Sequence, residues 1–201
     1  MKLSNSYRTL INIMKNRRST RRYKTTRVPV TKILKILKAG GFAPSGANQQ
    51  PWNYIIVDDP ELKKKIRKEA EKEDKTFHRS APLWLQKWLK DQNIGLEKTF
   101  LTNAPFLIVV VGDSEQPYWC ESVWLSIAYI ILAAQSEDLA TLTYTPGSTK
   151  FLNKILEIPK RFKVLAIIPI GQPFETHRKS EAPRKKIEDI VFYNKYGDKI
   201  R

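Results

Sequence analysis

Residues 106–112 read FLIVVVG, and this stretch sets the fold class of the chain. Its apolar residues occupy both alternating positions, which is typical of a strand that is buried on both faces. The stretch VLAIIPI at residues 164–170 has the same character. Two shorter strands are predicted at residues 52–57 (WNYIIV) and 141–145 (TLTYT). The chain therefore offers four strand candidates.

Helical patterns alternate with these strands. Apolar residues at helical spacing occur in residues 7–15, 30–40, 61–75, 84–88, 123–134 and 150–156. Strands interleaved with helices predict a sheet covered by helices, of α/β or α+β class. Because no repeat or long linker divides the sequence, we expect a single domain over residues 1–201. The polar, basic segment from about residue 175 to residue 201 is expected to form an arm around a partner subunit, with a loose tail as the alternative.

The chain carries 36 Lys and Arg against 20 Asp and Glu, a formal net charge of +16. A nucleic acid, an anionic membrane surface, a phosphate-bearing cofactor and plain solubility are all compatible with this charge. The apolar stretches are too short or interrupted to cross a bilayer, and residues 1–19 lack a secretory signal pattern. A single cysteine, Cys120, excludes an internal disulfide and a zinc site built from cysteines. We expect a cytoplasmic protein without a membrane partner or a bound metal.

The densest basic cluster is KNRRSTRRYK at residues 15–24, with six cations in ten residues. Arginine presents a planar fork that suits phosphate oxygens, and Ser19 adds a hydroxyl donor. A solvated charged connector between two helices is the plainer interpretation. Nucleic-acid binding is a further alternative, but no helix-turn-helix, zinc-finger or RNP pattern accompanies the cluster. A nucleic-acid partner is therefore disfavoured.

Two loops carry the remaining candidate chemistry. In PSGANQQPW at residues 44–52, Gly46 lets backbone N–H groups approach a planar or anionic ligand, and Ser45 and Asn48 add polar side chains. A simple helix-to-strand turn is the alternative there. In TLTYTPGS at residues 141–148, Thr143 and Thr145 place hydroxyls at the end of a strand. Since no histidine pair, triad or metal cluster is evident, a cofactor is expected to carry any redox chemistry.

Taken in order, these features resemble the FMN-dependent nitroreductase superfamily, and within it the iodotyrosine deiodinase branch. The features are the Arg-Arg-Ser-x-Arg stretch at residues 17–21, the PSGANxxPW loop, a buried strand after Asn-Ala-Pro, the hydroxyl residues before Pro146, and a late arginine. The most specific match is Pro-Ser-Gly-Ala followed by Pro-Trp, and the resemblance spans roughly residues 17–190.

The resemblance implies an α+β fold, a three-layer α/β/α sandwich around a central mixed, mainly antiparallel sheet. It also implies a domain-swapped homodimer that builds two FMN sites at its interface. The implied FMN-binding residues are Arg17, Arg18, Ser19, Arg21, Pro44, Ser45, Gly46, Asn48, Thr143, Thr145 and Arg184.

Two of the matched positions are implied to act in catalysis. Thr145 matches a threonine near flavin N5, where a hydroxyl favours one-electron over hydride chemistry. Ala47 matches the residue whose backbone N–H meets the substrate phenolate in deiodinases. Both roles are carried over from the resemblance.

The deiodinase branch also clamps the substrate zwitterion with a Glu, a Tyr four residues later and a Lys in the lid. Lys98, seven residues before Pro105, matches the Lys. Counting back from Lys98 gives Glu73 and Phe77, whereas aligning residues 66–68 (IRK) gives Asp74 and His78. Neither alignment supplies a tyrosine. The expected substrate-binding residues are Ala47, Glu73, Phe77 and Lys98.

The function expected from these residues is that of an FMN-dependent oxidoreductase, with electrons passing from reduced flavin to a small aromatic acceptor. A nitroaromatic, a quinone and a halotyrosine are candidate acceptors, and NADH or NADPH is a candidate transient donor. The alternatives are a dedicated iodotyrosine dehalogenase, a flavin-storage protein without turnover, and a basic nucleic-acid-binding protein without flavin.

Overall fold

A computed structural model describes residues 4–92, 94–174 and 183–199. The helices within these ranges are α1 (Asn5–Asn16), α2 (Val30–Gly40), α3 (Pro60–Ser80), α4 (Leu83–Asp91), α5 (Phe100–Asn103), α6 (Trp119–Ser136), α7 (Lys150–Ile155) and α8 (Ile187–Ile190). The strands are β1 (Trp52–Val57), β2 (Phe106–Asp113), β3 (Ala140–Thr141) and β4 (Phe162–Gly171). Residues 175–182 and 200–201 of the expected arm lie outside the described residues.

The four strands form one sheet in the order β1-β2-β4-β3, and every pair of neighbouring strands is antiparallel. The two most apolar stretches form the central strands β2 and β4, as the sequence predicts, and all eight residues of β2 are buried. A parallel bridge joins Ser19 to Thr141 at the β3 edge. The expectation of a mainly antiparallel sheet is confirmed.

Two hydrophobic cores lie on opposite faces of this sheet. Because side chains alternate along a strand, Ile108 and Val110 of β2 face one core while Leu107 and Val109 face the other. The first core is completed by α2 and α6, and the second by α3, α5 and α7. The chain is therefore a three-layer α/β/α sandwich of the α+β class, as expected.

Two elements differ from the sequence prediction. The strand predicted at residues 141–145 pairs continuously only at Ala140–Thr141 and returns to the sheet at Tyr144, which bridges to Ile167. It then ends at Pro146, since proline has no N–H to donate. Helix α3 continues five residues beyond the predicted end, because no glycine or proline follows Pro60 until Pro82.

Helices α1 and α6 pack against each other and leave apolar side chains exposed. Helix α1 buries no residue, and its Tyr7, Leu10 and Met14 share one exposed face. Helix α6 buries its inner side in the first core but exposes its outer side. Across residues 4–92, 94–174 and 183–199, no helix combines the length and the apolar character that a bilayer span requires.

Candidate functional site

A cleft of about 500 Å³ lies between the second half of α3, helix α4, the segment before α5 and the chain that follows β3. Its wall is partly apolar and partly hydroxyl-bearing or charged. The lining residues used below are Arg21, Asp74, Phe77, Trp88, Leu89, Lys98, Thr143, Tyr144 and Thr145. Pockets of this size and mixed lining are typical of small-molecule sites.

Asp74 is the centre of a buried polar network in the cleft wall. It follows Ile66 and Ala70 at steps of four residues and so shares the inner face of α3. Its Oδ2 accepts hydrogen bonds from Lys98 Nζ and from the Tyr144 hydroxyl, each at 2.9 Å. Its Oδ1 accepts one from the Gly147 N–H at 3.1 Å. Both carboxylate oxygens are thus satisfied by donors of this chain.

Lys98 is held from two sides. Its side chain is only 4% exposed, and Nζ also donates to the Gly95 carbonyl at 2.8 Å. Its backbone N–H donates to Glu71 Oε1 at 2.7 Å, and the same oxygen accepts from Arg67 Nε at 2.6 Å. The two α3 carboxylates, Glu71 and Asp74, therefore fix the segment before α5 against α3.

The ion pair involves one of the two carboxylates that the sequence left open. Lys98 pairs with Asp74, the carboxylate of the second alignment, whereas Glu73 is half-buried and does not line the cleft. Glu73 lies one residue off the inner stripe of α3, and its backbone oxygen faces Gly147. Phe77 and His78 both line the cleft, with ring centroids 6.1 Å apart. The side chain of Phe77 is 41% exposed.

Tyr144 was not among the site residues expected from the sequence. It is buried, with its ring packed edge-to-face on Phe100 at 5.2 Å between centroids. Burial and the neighbouring Asp74 charge raise the pKa of the Tyr144 hydroxyl above the ordinary tyrosine value. The group therefore stays protonated and donates to Asp74. The only sequence signal was an aromatic residue between two threonines of the TLTYTPGS loop.

Arg17, Arg18 and Arg184, from two distant segments of the chain, lie near enough for the charges of Arg18 and Arg184 to act on Arg17. Burial lowers the pKa of the Arg17 guanidinium, and the nearby charges of Arg18 and Arg184 lower it further. Arg18 Nη1 donates to the Arg17 carbonyl at 2.9 Å, where α1 ends. Proximity of like charges is unfavourable by itself, and an anion between them would relieve it.

The residues that follow are tied to the β3 edge of the sheet. The Thr20 N–H donates to the Thr141 carbonyl at 3.0 Å. The buried Tyr23 hydroxyl donates to the carbonyls of Thr20 and Pro169, at 2.8 and 3.1 Å. This attachment brings Arg21 to the same cleft as Thr143 and Thr145. The basic cluster is thus an ordered edge of the sheet along residues 17–24.

The loop that contains PSGA at residues 44–47, called the PSGA loop below, lies away from the cleft. Gly46–Asn48 form one turn of 3₁₀ helix, in which Ala47 has φ 47° and Asn48 φ 53°, both in the left-handed region. Gly46 donates from its N–H to Ser122 Oγ at 3.3 Å, and a Cβ there would lie 2.6 Å from the Tyr118 side chain. Backbone strain of this kind in non-glycine residues is concentrated at functional sites.

Within one chain, the PSGA loop and the cleft do not meet. The loop precedes β1, and β1 and β3 are opposite edges of the four-stranded sheet, about 14 Å apart at three strand spacings. None of residues 44–48 lines the cleft. The expected site residues therefore fall into two sets, one around the cleft and the arginines and one in the exposed loop.

Among the described residues, no group of three or more His, Cys, Asp or Glu could hold a metal ion.

Comparison with known proteins identifies the class of this fold and site. Residues 14–172 match the model of the nitroreductase family. The chain therefore belongs to this family and is an oxidoreductase.

Individual relatives place it closer to one branch. It is 35% identical over 187 residues to iodotyrosine deiodinase of Thermotoga neapolitana, covering 93% of this chain and 98% of the relative. It is 35% identical over 194 residues to iodotyrosine deiodinase of Haliscomenobacter hydrossis, covering 90% of this chain and 86% of the relative. The resemblance to this branch is confirmed.

Solved structures agree. The structure of an oxidised iodotyrosine deiodinase bound to FMN and 3-iodo-L-tyrosine matches with a TM-score of 0.88 at 35% identity, covering 93% of this chain and all of that one. An FMN-dependent nitroreductase from Clostridium difficile matches with a TM-score of 0.68 at 27% identity, covering 92% of this chain and 99% of that one.

Proposed function

We propose that this protein is a homodimeric FMN-dependent oxidoreductase that reduces a small aromatic acceptor, with an iodinated or otherwise halogenated phenol as the leading acceptor class. The proposal treats residues 1–201 as one FMN-binding domain, whose segment from about residue 175 embraces the partner. The observation that carries it is the proximity of the Arg17, Arg18 and Arg184 charges, together with a cleft that is lined by Arg21 and Thr145.

The residues present fit the chemistry of FMN. A phosphate needs several cationic donors, and the three neighbouring guanidiniums with the hydroxyl of Ser19 supply that set. A flavin ring needs hydrogen-bond donors along its polar edge, and the cleft is lined by Arg21, with its guanidinium, and by Thr143 and Thr145, with their hydroxyls. When bound, FMN would supply two electrons, which with one proton convert a C–I bond of an iodophenol into C–H and release iodide.

Residues of the chain itself would bind the cofactor and the acceptor. Arg17, Arg18 and Arg184 would hold the phosphate, and Thr145 would donate its hydroxyl toward the flavin edge. The backbone N–H of Ala47 would stabilise the phenolate oxygen of the acceptor, since a fixed N–H dipole stabilises developing negative charge. Pro44, Ser45, Gly46 and Asn48 would follow the flavin ring beside it.

A second copy of the chain would bring the two sets of residues together. The PSGA loop is attached to the start of α6 through Ser122, and α6 exposes Trp124, Leu125 and Tyr129 on its outer side. Helix α1, packed on α6, adds an exposed apolar face. Neighbouring exposed apolar side chains of this kind are typical of a protein interface. A second chain that packs against the exposed face of α1 and α6 would contact the PSGA loop and place its own cleft next to this loop.

The relatives support the acceptor class. Two of them carry the name iodotyrosine deiodinase at 35% identity, and a solved relative binds FMN and 3-iodo-L-tyrosine. The apolar wall of Phe77, Trp88 and Leu89 suits a flat aromatic ring. NADH or NADPH would act as a transient electron donor.

The test begins with the purified full-length protein. We expect a yellow protein that releases FMN on denaturation. After anaerobic reduction, its flavin should be reoxidised by 2-iodophenol, 4-nitrophenol or a quinone, with iodide released from the first. A colourless protein that does not take up added FMN would overturn the proposal. A flavoprotein whose reduced form reacts with none of these acceptors would support a storage role instead.

A further inference from the structure

Thr145 is an exposed residue between two buried neighbours. It lines the cleft, whereas Tyr144 and Pro146 on either side of it are buried. The Tyr144 N–H donates to the Ile167 carbonyl at 2.9 Å, and the Tyr144 carbonyl accepts from the Ile167 N–H at 2.8 Å. Thr145 lies beyond this bridge, and Pro146 has no N–H to donate. Within the described part of the chain, the backbone bonds of this segment to β4 therefore end one residue before Thr145.

One carboxylate holds the chain on both sides of Thr145. Asp74 Oδ2 accepts a hydrogen bond from the Tyr144 hydroxyl at 2.9 Å, and Asp74 Oδ1 accepts one from the Gly147 N–H at 3.1 Å. Because both oxygens belong to one planar group, these bonds fix the separation and the direction of residues 144–147. Asp74 is itself only 5% exposed and pairs with Lys98. The turn that contains Thr145 is thus attached to α3.

The packing around this turn leaves little room for another arrangement. The Tyr144 ring packs edge-to-face on Phe100, with 5.2 Å between the ring centroids. Gly147 approaches α3 so closely that a Cβ there would lie 3.0 Å from the Glu73 carbonyl oxygen and from Phe77 Cβ. Both ends of the turn are therefore held by packing as well as by hydrogen bonds.

We propose that Tyr144 is a positioning residue, which holds Thr145 through Asp74 so that the Thr145 hydroxyl donates to flavin N5. The inference rests on the proposed function and gives the reason why Thr145 keeps one orientation. A hydroxyl acts on a ligand atom reliably only where its direction is fixed, and the hydrogen bonds of neighbouring residues fix it. Tyr144 and Gly147 supply this constraint from the two sides of Thr145.

The ¹⁵N resonance of FMN labelled at N5 tests the proposal on the oxidised, FMN-loaded protein, without turnover. A hydrogen bond to N5 moves this resonance upfield, so its loss moves the resonance downfield. Thr145→Val removes the hydroxyl and keeps the branched side chain. We expect a downfield shift, which measures the whole effect of the hydroxyl. An unshifted resonance would overturn the proposal, since Thr145 would then not donate to N5.

Tyr144→Phe removes the bond to Asp74 and keeps the ring. The N5 resonance should move downfield by at least half of the shift that Thr145→Val produces, because Thr145 is then held from one side only. In the double variant, Tyr144→Phe should add nothing to Thr145→Val, since it acts through the hydroxyl that is already absent. A resonance that stays at the wild-type position in Tyr144→Phe, or shifts that add in the double variant, would contradict the positioning role.

Tyr54→Phe is the matched control. It removes a side-chain hydrogen bond, 2.6 Å from the Tyr54 hydroxyl to Ser126 Oγ, in the core on the other face of the sheet. Its N5 resonance should match that of the wild type. A shift as large as that of Tyr144→Phe would show that any lost tyrosine bond has this effect, against a specific role of Tyr144.

Gly147→Ala gives a second test should Tyr144→Phe fail to fold. The added Cβ pushes the turn away from α3, so the N5 resonance should again move downfield. A wild-type resonance in this variant would overturn the proposal. The experiments also separate the two proposals: a protein that takes up no FMN refutes the proposed function, whereas an FMN-loaded protein with an unshifted N5 resonance in the variants refutes only the role of Tyr144.

Discussion

The Asp74 carboxylate and the Lys98 ammonium form a buried ion pair, with Lys98 Nζ 2.9 Å from Asp74 Oδ2. The pair joins the middle of α3 to the segment before α5, and the hydrogen bonds of Asp74 to Tyr144 and Gly147 extend it to the chain after β3. Three separate segments of the cleft wall are thus held by one side chain. Thr145 lies between the two residues that Asp74 binds on that chain. The network therefore makes the stability of the fold and the shape of the cleft interdependent.

Lys98→Met should destabilise the protein strongly. The substitution leaves the Asp74 charge buried without its partner, which costs about 3 to 5 kcal/mol of the free energy of unfolding. Urea unfolding followed by circular dichroism measures the change.

Two further variants test whether the loss of stability comes from the buried ion pair. The double variant Lys98→Met, Asp74→Asn should recover part of the loss, because no unpaired charge then stays buried. Lys64→Met removes a lysine that forms an exposed ion pair with Glu61 on α3, the helix that carries Asp74. This variant should leave the urea midpoint unchanged. Equal midpoints for Lys98→Met and Lys64→Met would show that the buried pair does not stabilise the fold.

Stability should fall at alkaline pH through the buried tyrosines. Burial raises the pKa of Tyr23, and burial together with Asp74 raises that of Tyr144. In the unfolded chain, the pKa of a tyrosine hydroxyl is about 10. Above this pH the unfolded chain has lost these protons while the folded chain keeps them, so the free energy of unfolding decreases as the pH rises. Below that pH both states keep these protons, and the two tyrosines contribute fully to the free energy of unfolding.

Tyr144→Phe isolates one of these groups. The slope of unfolding free energy against pH, measured with urea from about pH 9 to about pH 11, should become shallower by about 0.7 kcal/mol per pH unit on average, approaching about 1.4 kcal/mol per pH unit at the alkaline end. Tyr196→Phe, at a side chain that is 93% exposed, is the matched control for the substitution itself. A slope unchanged by Tyr144→Phe would contradict the role of Tyr144 in this dependence.

The sequence predicted most of the fold because apolar pattern and burial are closely coupled in this chain. Residues 106–112 and 164–170 carry apolar residues at every position, and they form the two central strands with helices on both faces. The end of α3 was harder to predict, since no glycine or proline between residues 61 and 81 marks it. The break in the predicted strand at residues 141–145 depends on pairing with β4, which a local pattern does not reveal.

The candidate site was less accessible from the sequence. The arginines of residues 17–21 and the hydroxyls before Pro146 were recognised as motifs, but their arrangement depends on the backbone bond from Thr20 to Thr141, which joins distant segments. The choice between Glu73 and Asp74 depends on which residue faces inward on α3, and adjacent residues on a helix differ by about 100°. Tyr144 was missed because its role arises only from its contact with Asp74.

Arg17→Met should weaken FMN binding. Loss of one charge-assisted hydrogen bond to a phosphate corresponds to about 1.5 to 3 kcal/mol, or an increase in Kd of roughly 10-fold to 150-fold. Fluorescence titration of the apoprotein with FMN measures it. Arg161→Met is the control, since Arg161 is exposed, pairs with Asp113 at 3.4 Å and lies outside the arginine cluster. If both variants bind FMN as the wild type does, the cluster of Arg17, Arg18 and Arg184 is not the phosphate site.

Leu125→Glu should dissociate the proposed homodimer and release FMN in the same step. Leu125 is 43% exposed on the outer side of α6, and a carboxylate buried there in an interface would lack a partner. Light scattering after gel filtration gives the mass, and flavin absorbance of the same peak gives the FMN content. Leu83→Glu makes the same change at an 83% exposed leucine of α4, and it should leave both unchanged. A Leu125→Glu monomer that retains FMN would mean that one chain holds the flavin alone. That result would contradict the proposal that the cleft of one chain and the PSGA loop of the other form the site together.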